Sequence, residues 1–319
     1  MDVVNVAENA GIGGDVEAQQ QAYVPYVMDY VFGTGHGGQN GMAEMVNNVY
    51  GSVFSPSLPG TPAGPASSRQ IGAGAIIATV SGACTLDGRV SVDSAQNFAA
   101  GNLDRPPSPG SIALTVGSLA GSGVISANGL PGNITVSTSS GYGPSGGGRI
   151  SIRLTDKGAD FSAADLERIQ AQGVTQSAVN SCTNTSSAGT IYLETAAQAA
   201  LGGVIHIVND GKTGNLAYTP IPAAAYADAV ADFEKASLSL LDCGKVRLYE
   251  TLTMAKLMMA ADTKLDLNGN KLTVNAATLG DTTLEPGTYA ASAYADFLTG
   301  EGSLVVVGAA KRGTVIIYR

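Results

Sequence analysis

The chain has few charged residues, few aromatic residues and no tryptophan. Charged residues make up 13% of its 319 residues, which is about half the share of roughly 25% that is usual in soluble globular proteins. Aromatic residues contribute only 6%, so a core has to be built mainly from small aliphatic side chains. Side chains of such uniform size are suited to stacked, repeated layers.

Positive charge and long apolar runs are also scarce. The formal net charge is −9, and no basic run is longer than the pair Lys311–Arg312. Because a negative field repels phosphate backbones, we expect no nucleic-acid partner. The sequence has no run of about 18 apolar residues, and its first residues lack the basic and apolar regions of a secretory signal. We therefore expect neither membrane insertion nor a signal peptide within this sequence.

Cysteine is too sparse to form a framework. Cys84, Cys182 and Cys243 are an odd number at wide spacing, which fits neither a disulfide scaffold nor a metal-binding pattern. We expect them to be plain buried or loop residues, because free cysteine packs as a small hydrophobe.

Residues 33–38 have the glycine spacing of a dinucleotide fingerprint, but no acidic residue follows at the required distance. The sequence thus predicts no metal and no cofactor.

Two further short patterns suggest chemistry only weakly. Gly143, Ser145 and Gly147 have the spacing of a nucleophile elbow, but Ser145 precedes a strand instead of following one, which favours an ordinary turn. The only histidines are His36 and His206. Alternation in its segment places His206 on the same side as its neighbouring valines, which is typical of a packed residue.

Glycine is abundant, and its 42 copies accompany a repeat. Alternating segments AIIATV, SIALTV, RISIRL and TIYLET each follow a glycine and carry an isoleucine at the second position. These isoleucines are spaced by 36, 38 and 41 residues. The four equivalent residues are Ile76, Ile112, Ile150 and Ile191. We expect them to lie one above another in a single ladder.

This period predicts an all-β fold, a right-handed parallel β-helix solenoid with Gly/Pro-rich loops and one or two short helical insertions. Strands of five or six residues alternate with linkers that are not helical, and each strand would pair with its counterpart in the next coil. The Pro-rich stretches at 55–69 and 102–110 are expected to project from the solenoid, because proline donates no ladder hydrogen bond.

The expected helices and corners follow from local signals. Ser162 as N-cap with Asp165 at the capping-box position predicts a short helix that stops at Gly173. Residues 225–238 predict a second helix from their apolar spacing. Three pairs are expected to form corners in which a residue takes positive φ. They are Asp87–Gly88, Asn128–Gly129 and Asp210–Gly211.

Three regions are predicted along the chain. Residues 1–30 would form an N-terminal cap or leader segment, and residues 31–236 a glycine-rich β-helix. Residues 237–319 alternate more regularly and would form C-terminal coils that continue the same solenoid. In that last region Asp266, Asn268 and Asn270 alternate like part of a Ca²⁺ loop, but the remaining ligands are missing, so a corner is expected at Asn268.

These stretches carry a resemblance to a protein family. GHGGQNG at 35–41 and GSIALTVGSLAGSGVISANG at 110–129 resemble the glycine-rich parallel β-helix segments of large bacterial autotransporter-like surface proteins. LDLNGNKLTV at 265–274 resembles the passenger repeats of such proteins. The likeness covers residues 31–154 and 238–308. It implies a β-helix that is part of a longer exported chain and lies outside the cell or at its surface.

Three functions stay open at the level of sequence. The first is a non-catalytic structural or adhesive module that contacts extracellular or host-surface glycans. The second is a polysaccharide lyase or glycoside hydrolase acting on acidic glycans, for which the best charged cluster is Arg149, Arg153, Asp156 and Lys157. The third is a subunit that assembles end to end into fibres through its open coil ends. The motifs favour the first function, with no catalytic residues.

Overall fold

The computed structural model describes most of the chain in nine ranges: residues 7–9, 36–39, 49–62, 72–95, 106–131, 144–176, 184–212, 217–225 and 227–308. Within them the structure is mostly β with parallel sheets, as the sequence predicts. No helix in these ranges is both long and apolar enough to span a bilayer.

Short strands and three brief helices make up the secondary structure of the described ranges. The strands are β1 (Ala7–Asn9), β2 (Ala75–Thr85), β3 (Arg89–Ser91), β4 (Ser111–Ala120), β5 (Val124–Ser126), β6 (Arg149–Leu154), β7 (Ile169–Gln170), β8 (Thr175–Gln176), β9 (Asn184–Thr185), β10 (Thr190–Glu194), β11 (Val204–Val208), β12 (Thr219–Ile221), β13 (Ser237–Leu241), β14 (Lys245–Leu248), β15 (Leu252–Met259), β16 (Lys264–Asp266), β17 (Lys271–Leu279), β18 (Thr282–Thr283), β19 (Gly287–Ala290), β20 (Leu298–Thr299) and β21 (Ser303–Val306). The helices are α1 (Ala163–Arg168) and two 3-10 turns, Val230–Phe233 and Ala291–Tyr294.

One twelve-stranded sheet runs through the molecule. Its order is β1-β2-β4-β6-β10-β11-β13-β15-β17-β21-β19, with β18 paired to β17. Three smaller sheets accompany it, in the orders β12-β14-β16-β20, β3-β5-β7 and β8-β9.

Strands β2, β4, β6 and β10 form the N-terminal ladder, in which every neighbouring pair is parallel. The registers pair Ile76 with Ile112, Ile112 with Ile150, and Ile150 with Ile191. The predicted isoleucine ladder is therefore confirmed. The last three of these side chains are at most 1% exposed, and they form the middle of a core that β3, β5 and β7 close from a second side.

Strands β11, β13, β15, β17 and β21 form the C-terminal ladder, which is also parallel throughout. Ile205, Leu238 and Leu257 occupy one row of it. Val246 and Leu265 come from the parallel sheet β12-β14-β16-β20 and belong to the same buried cluster. Two sheets thus enclose the C-terminal core.

The two ladders meet at an antiparallel pair, and the buried face of the sheet changes there. β10 pairs antiparallel with β11, with Tyr192 opposite Ile205 and Ile191 opposite His206. Tyr192 and Ile205 belong to the C-terminal core, whereas Ile191 belongs to the N-terminal core. Because successive side chains of a strand point to opposite faces, the two cores lie on opposite faces of one continuous sheet.

Extended, glycine-rich segments pack against one another beside the N-terminal ladder and form what we call the glycine layer. It comprises residues 36–39, 58–62, 72–74, 106–110, 127–131, 144–148, 171–174 and 185–189. Backbone hydrogen bonds join these segments, for example from the nitrogen of Gly38 to the oxygen of Gly147 at 2.7 Å and from the nitrogen of Gly147 to the oxygen of Ser187 at 3.1 Å. Residues 106–110 are all buried in this layer. The prediction that the stretches at 55–69 and 102–110 project into solvent is wrong for their described parts, 55–62 and 106–110. Both form backbone hydrogen bonds with neighbouring segments, for example from the Ser108 amide to the Thr61 carbonyl at 3.0 Å.

Most local predictions need adjustment. The capping box of Ser162 and Asp165 is present, but α1 ends at Arg168, where β7 begins. Residues 225–238 hold a 3-10 turn of four residues instead of a longer helix. Tertiary pairing with the sheets overrides helix propensity at both places.

Only part of the predicted corners adopt the left-handed conformation. Asp210 and Gly211 have φ values of 51° and 66°, and Asn268 and Gly269 have values of 49° and 80°. The pairs Asp87–Gly88 and Asn128–Gly129 do not take positive φ. Close packing accounts for the glycine at position 129, and an open turn accounts for the glycine at position 88.

Neither described cysteine forms a disulfide. Cys84 is half-buried and Cys243 is buried, and both are free thiols. Cys182 lies outside the described residues, as do most of residues 1–30 and the last eleven positions. β1 pairs antiparallel with β2 at one edge of the main sheet, and β19 pairs antiparallel with β21 at the other.

Candidate functional site

The structure separates the four charged residues that the sequence groups together. Arg149 and Arg153 share one face of β6, as expected. Arg149 is completely buried, however, and Arg153 keeps 30% of its side chain exposed. Asp156 and Lys157 are exposed beyond the end of the strand. The four residues therefore do not form one solvent-facing cluster.

The two arginines instead hold a segment that crosses the face of the N-terminal ladder opposite to its core. We call this segment the strap (residues 49–62). Arg149 Nε donates to the Tyr50 carbonyl at 2.8 Å. Arg153 Nη2 and the Ser151 hydroxyl both donate to the Phe54 carbonyl at 2.9 Å. The outward-facing side chains of β6 thus bind strap backbone, leaving little of that strand face to solvent.

The opposite side of the strap closes the end of the C-terminal core. The Phe54 ring lies 4.9 Å from the ring of Tyr192 and 5.1 Å from the ring of Phe233, centroid to centroid. Asp228 accepts a hydrogen bond from the Val53 amide at 2.7 Å and another from the Ser52 hydroxyl. The strap is therefore a bridge between the two halves of the molecule.

Replacing Asp228 with alanine is expected to lower the free energy of unfolding by about 2 kcal/mol, because a carboxylate that accepts two hydrogen bonds is lost from the bridge. Chemical denaturation of the purified chain measures this. The matched control is Asp281→Ala, which removes an exposed carboxylate without a hydrogen bond to any described residue. Equal stabilities of the two variants would contradict the role of Asp228.

A buried polar cluster lies beneath the strap around Arg149. His36 Nδ1 is 3.0 Å from the Pro109 carbonyl, and its ring stacks on Tyr50 at a centroid distance of 4.6 Å. Arg149 Nη1 donates to the Thr190 hydroxyl at 3.0 Å, while Nη2 has no hydrogen-bond partner among the described residues. Burial, followed by the charge of Arg149, lowers the pKa of His36 to about 3. The imidazole is therefore neutral at pH 7 and donates to the Pro109 carbonyl.

The same cluster contains a serine beside this histidine. Ser111 Oγ lies 3.4 Å from His36 Nε2, but it donates to the Leu58 carbonyl at 2.7 Å. Its proton is thus directed to the strap and away from the imidazole. Both residues have no exposed surface, and the strap covers them. This geometry supports packing and attachment of the strap, not nucleophilic catalysis.

Burial also governs the electrostatics of the arginine. Desolvation lowers the pKa of Arg149 to about 10, opposed by the nearby charge of Asp228. The guanidinium therefore stays protonated at pH 7 and costs solvation energy that its hydrogen bonds only partly offset. Because the hydrogen bond from Arg149 to the Tyr50 carbonyl offsets part of this cost, the buried charge favours one position of the strap.

A second polar network fixes the junction of the two ladders. The Tyr192 hydroxyl donates to the Glu194 carboxylate and accepts from the Gly203 amide at 3.1 Å. Glu194 also accepts from the Leu201 amide at 2.8 Å and lies 3.6 Å from Arg153 Nε. Burial and the bond to Glu194 raise the pKa of Tyr192. The network therefore holds the loop that reverses the chain between β10 and β11.

The remaining predicted candidates take structural positions. Ser145 is buried, and its hydroxyl accepts from the Leu130 amide at 2.9 Å. His206 is packed in β11 on the same side as Val204 and Val208, as expected, and its Nδ1 is buried without a hydrogen-bond partner among the described residues. In the part of the chain that the structure describes, no three His, Cys, Asp or Glu side chains are grouped as a metal site.

Neither the strap nor the buried cluster is predicted by the sequence. Both depend on contacts between residues about 75 to 100 positions apart, such as His36 with Ser111 and Tyr50 with Arg149. The only local signal was a histidine placed among glycines.

No protein-family model, no curated protein and no solved structure matches the chain.

Proposed function

We propose that the chain is a non-catalytic structural or adhesive module of an exported or cell-surface protein. In this proposal it is a right-handed parallel β-helix whose coils are closed by the glycine layer. The stacked strands supply a regular surface, and the outer faces and loops contact the surroundings of the cell. Extracellular polysaccharides and surface glycans are the proposed partners.

The observation that carries this proposal is the use of equivalent residues at equivalent places in each repeat. Ile112, Ile150 and Ile191 stack in the N-terminal ladder, and a glycine precedes each of their strands in the sequence. Stacked repeats build long surfaces from short-range contacts, which is typical of solenoid proteins. Such an arrangement favours a scaffold.

The arrangement of charge supports a scaffold over an acidic-glycan enzyme. A lyase or hydrolase of acidic glycans needs accessible cations and a base or carboxylate pair at the substrate. Here Arg149 and Arg153 bind the carbonyls of Tyr50 and Phe54 in the strap. Their hydrogen-bonding capacity serves the fold.

The sheet edges support a discrete module over a fibre subunit. The parallel ladders are flanked by the antiparallel strands β1 and β19. An antiparallel strand interrupts the register that a second copy would need in order to continue the parallel repeat. End-to-end stacking therefore lacks a matching template at these edges.

The proposal predicts binding without cleavage. The purified chain is incubated with a panel of acidic and neutral polysaccharides, and both retention of the protein and formation of new reducing or unsaturated chain ends are measured. We expect retention on at least one surface polysaccharide and no new chain ends. New chain ends above those of a heat-denatured sample would overturn the non-catalytic role.

A further inference from the structure

A cleft lies between the two halves of the molecule, and none of its lining residues belongs to the strap. Its volume is about 290 Å³, near the lower end of the range of roughly 300–1,000 Å³ for small-molecule pockets. One wall is formed by α1 and the segment that follows it, from Leu166 to Gln172, and the other by the ends of β11 and β13. Segments from opposite sides of the chain reversal thus meet at this place.

The apolar part of the cleft comes from both walls. Leu166 and Ala171 line one side, and Val208 and Leu241 line the other. Val208 and Leu241 are neighbours in register on adjacent parallel strands, so their side chains form a continuous apolar surface. A ligand with a flat C–H face can pack against it.

The polar part consists of amides and carboxylates. Gln172 Oε1 accepts from Lys212 Nζ at 3.0 Å, while its side-chain nitrogen, Nε2, donates to no described residue. The carboxylates of Glu167 and Asp242 are exposed and make no hydrogen bond within the described residues. The cleft therefore offers a free donor and free acceptors at its rim.

Two of the acidic residues are held in fixed positions. Asp210 and Asp242 have φ values of 51° and 45°, a conformation that is uncommon for residues other than glycine. The Asp242 carbonyl accepts from the amides of Asn209 at 3.2 Å and Gly211 at 3.1 Å. These bonds join the two corners and fix the backbone positions from which the two carboxylates project.

Charge determines which ligand class the cleft accepts. Glu167, Asp210 and Asp242 place three carboxylates around it. Lys212, which donates to Gln172, also forms a salt bridge with Asp210, with 3.0 Å between Nζ and Oδ2. An acidic ligand would be repelled by this group and by the net charge of −9. A neutral polyhydroxylated ligand suits carboxylate acceptors, an amide donor and an apolar wall.

We propose that this cleft binds a short segment of a neutral saccharide. Sugar hydroxyls donate to the Asp242 and Glu167 carboxylates, a further sugar oxygen accepts from the Gln172 amide, and the C–H face of a ring packs on Val208 and Leu241. This inference rests on the proposed adhesive role and deepens it by naming the ligand class.

The test uses the full chain and named probes. Binding to the neutral polysaccharides dextran, mannan and galactan and to the acidic polysaccharides alginate and polygalacturonate is measured for the wild type and three variants. Gln172→Leu removes the amide donor, and Asp242→Asn removes an accepting charge while keeping a residue that tolerates positive φ. The matched control is Asp262→Asn, because Asp262 is also exposed with a φ of 62° but is not among the cleft-lining residues.

We expect the wild type to bind at least one neutral probe, and Gln172→Leu and Asp242→Asn each to weaken that binding about 10-fold or more. Asp262→Asn should bind like the wild type. Unfolding curves of all variants establish that they are folded.

Other outcomes would overturn the inference in distinguishable ways. Wild-type binding that neither cleft variant weakens leaves the adhesive role intact and removes the cleft. Exclusive binding to alginate or polygalacturonate contradicts the neutral ligand class. Binding that a chelator abolishes contradicts direct recognition by the carboxylates. Absence of binding to every probe would overturn both the cleft and the adhesive role, leaving a purely structural module.

Discussion

Replacing Gly189 with alanine is expected to destabilise the protein by about 3 kcal/mol, at the upper end of the usual cost of overpacking. A Cβ atom at this position would lie 1.7 Å from the Gly148 carbonyl oxygen and 2.8 Å from the Gly147 carbonyl carbon. Both contacts are with backbone, so no side-chain rotation relieves them. Gly189 also donates to the Ala171 carbonyl at 2.7 Å, which limits a shift of its own segment.

A matched glycine separates this packing effect from a general effect of alanine. Among the described residues, no atom beyond the chain neighbours of Gly88 lies within 4 Å of the position of an added Cβ, and Gly88 does not take positive φ. Gly88→Ala should therefore be neutral or stabilise by up to about 1 kcal/mol, because alanine restricts the unfolded chain. Chemical denaturation of both variants gives the comparison. Similar stabilities would show that close approach of the glycine layer is not required.

Acidification is expected to destabilise the protein strongly through His36. Its pKa falls from 6.5 to about 3 on folding, so the unfolded chain binds a proton below pH 6.5 that the folded chain rejects. Stability is therefore fully present above pH 6.5 and is lost as the pH falls towards 3, by up to about 5 kcal/mol for this group. The cause is burial beside the charge of Arg149, since protonation would place two cations together away from water.

The variant His36→Gln isolates this contribution, because glutamine does not titrate and its amide can donate to the Pro109 carbonyl. Its loss of stability between pH 6.5 and 4 should be smaller than that of the wild type by about 3 kcal/mol. His206, whose pKa burial lowers to about 4, titrates in both proteins and cancels in the comparison. Denaturant unfolding at intervals of pH measures the two slopes, and parallel slopes would contradict a neutral buried His36.

The N-terminal ladder could be predicted because its signal is local and repeated. Each of its strands alternates, follows a glycine and places an isoleucine at the same position. A shift of one residue would move every isoleucine to the other face of the sheet, so the register of Ile112 with Ile150 is determined by the sequence itself. The short helix at Ser162 was also predictable from its cap, although its end was not.

The change of buried face was not predictable from the same kind of pattern. In GVIHIV both sets of alternate positions are apolar apart from His206, with Ile205 and Ile207 on one face and Val204 and Val208 on the other. Alternation therefore does not say which face is covered. The choice follows from packing with Tyr192 on the neighbouring strand and with the strap, which comes from a distant part of the chain.

The buried arginine illustrates why the candidate site could not be read from composition. Arg149 stands in a strand beside Arg153, a pattern that usually indicates an exposed charged face. The strap covers it only because residues 49–62 return across the sheet, almost one hundred positions away in sequence. The prediction that residues 102–110 project is wrong at 106–110 for a related reason, since the partners of that stretch lie in other extended segments and not in a strand ladder.

The two cores lie on opposite faces of one sheet, so the number of strands on one side of the β10–β11 pair does not determine which face is buried on the other side. Since Tyr192 and Ile191 belong to different cores, the β10–β11 pair is the boundary at which one parallel ladder ends and the other begins. An additional parallel strand before β10 would leave the strand pairing of the C-terminal ladder unaltered, but it would move the N-terminal ladder relative to the strap, which binds both halves. The number of strands in the first half can therefore change only together with the length of the strap.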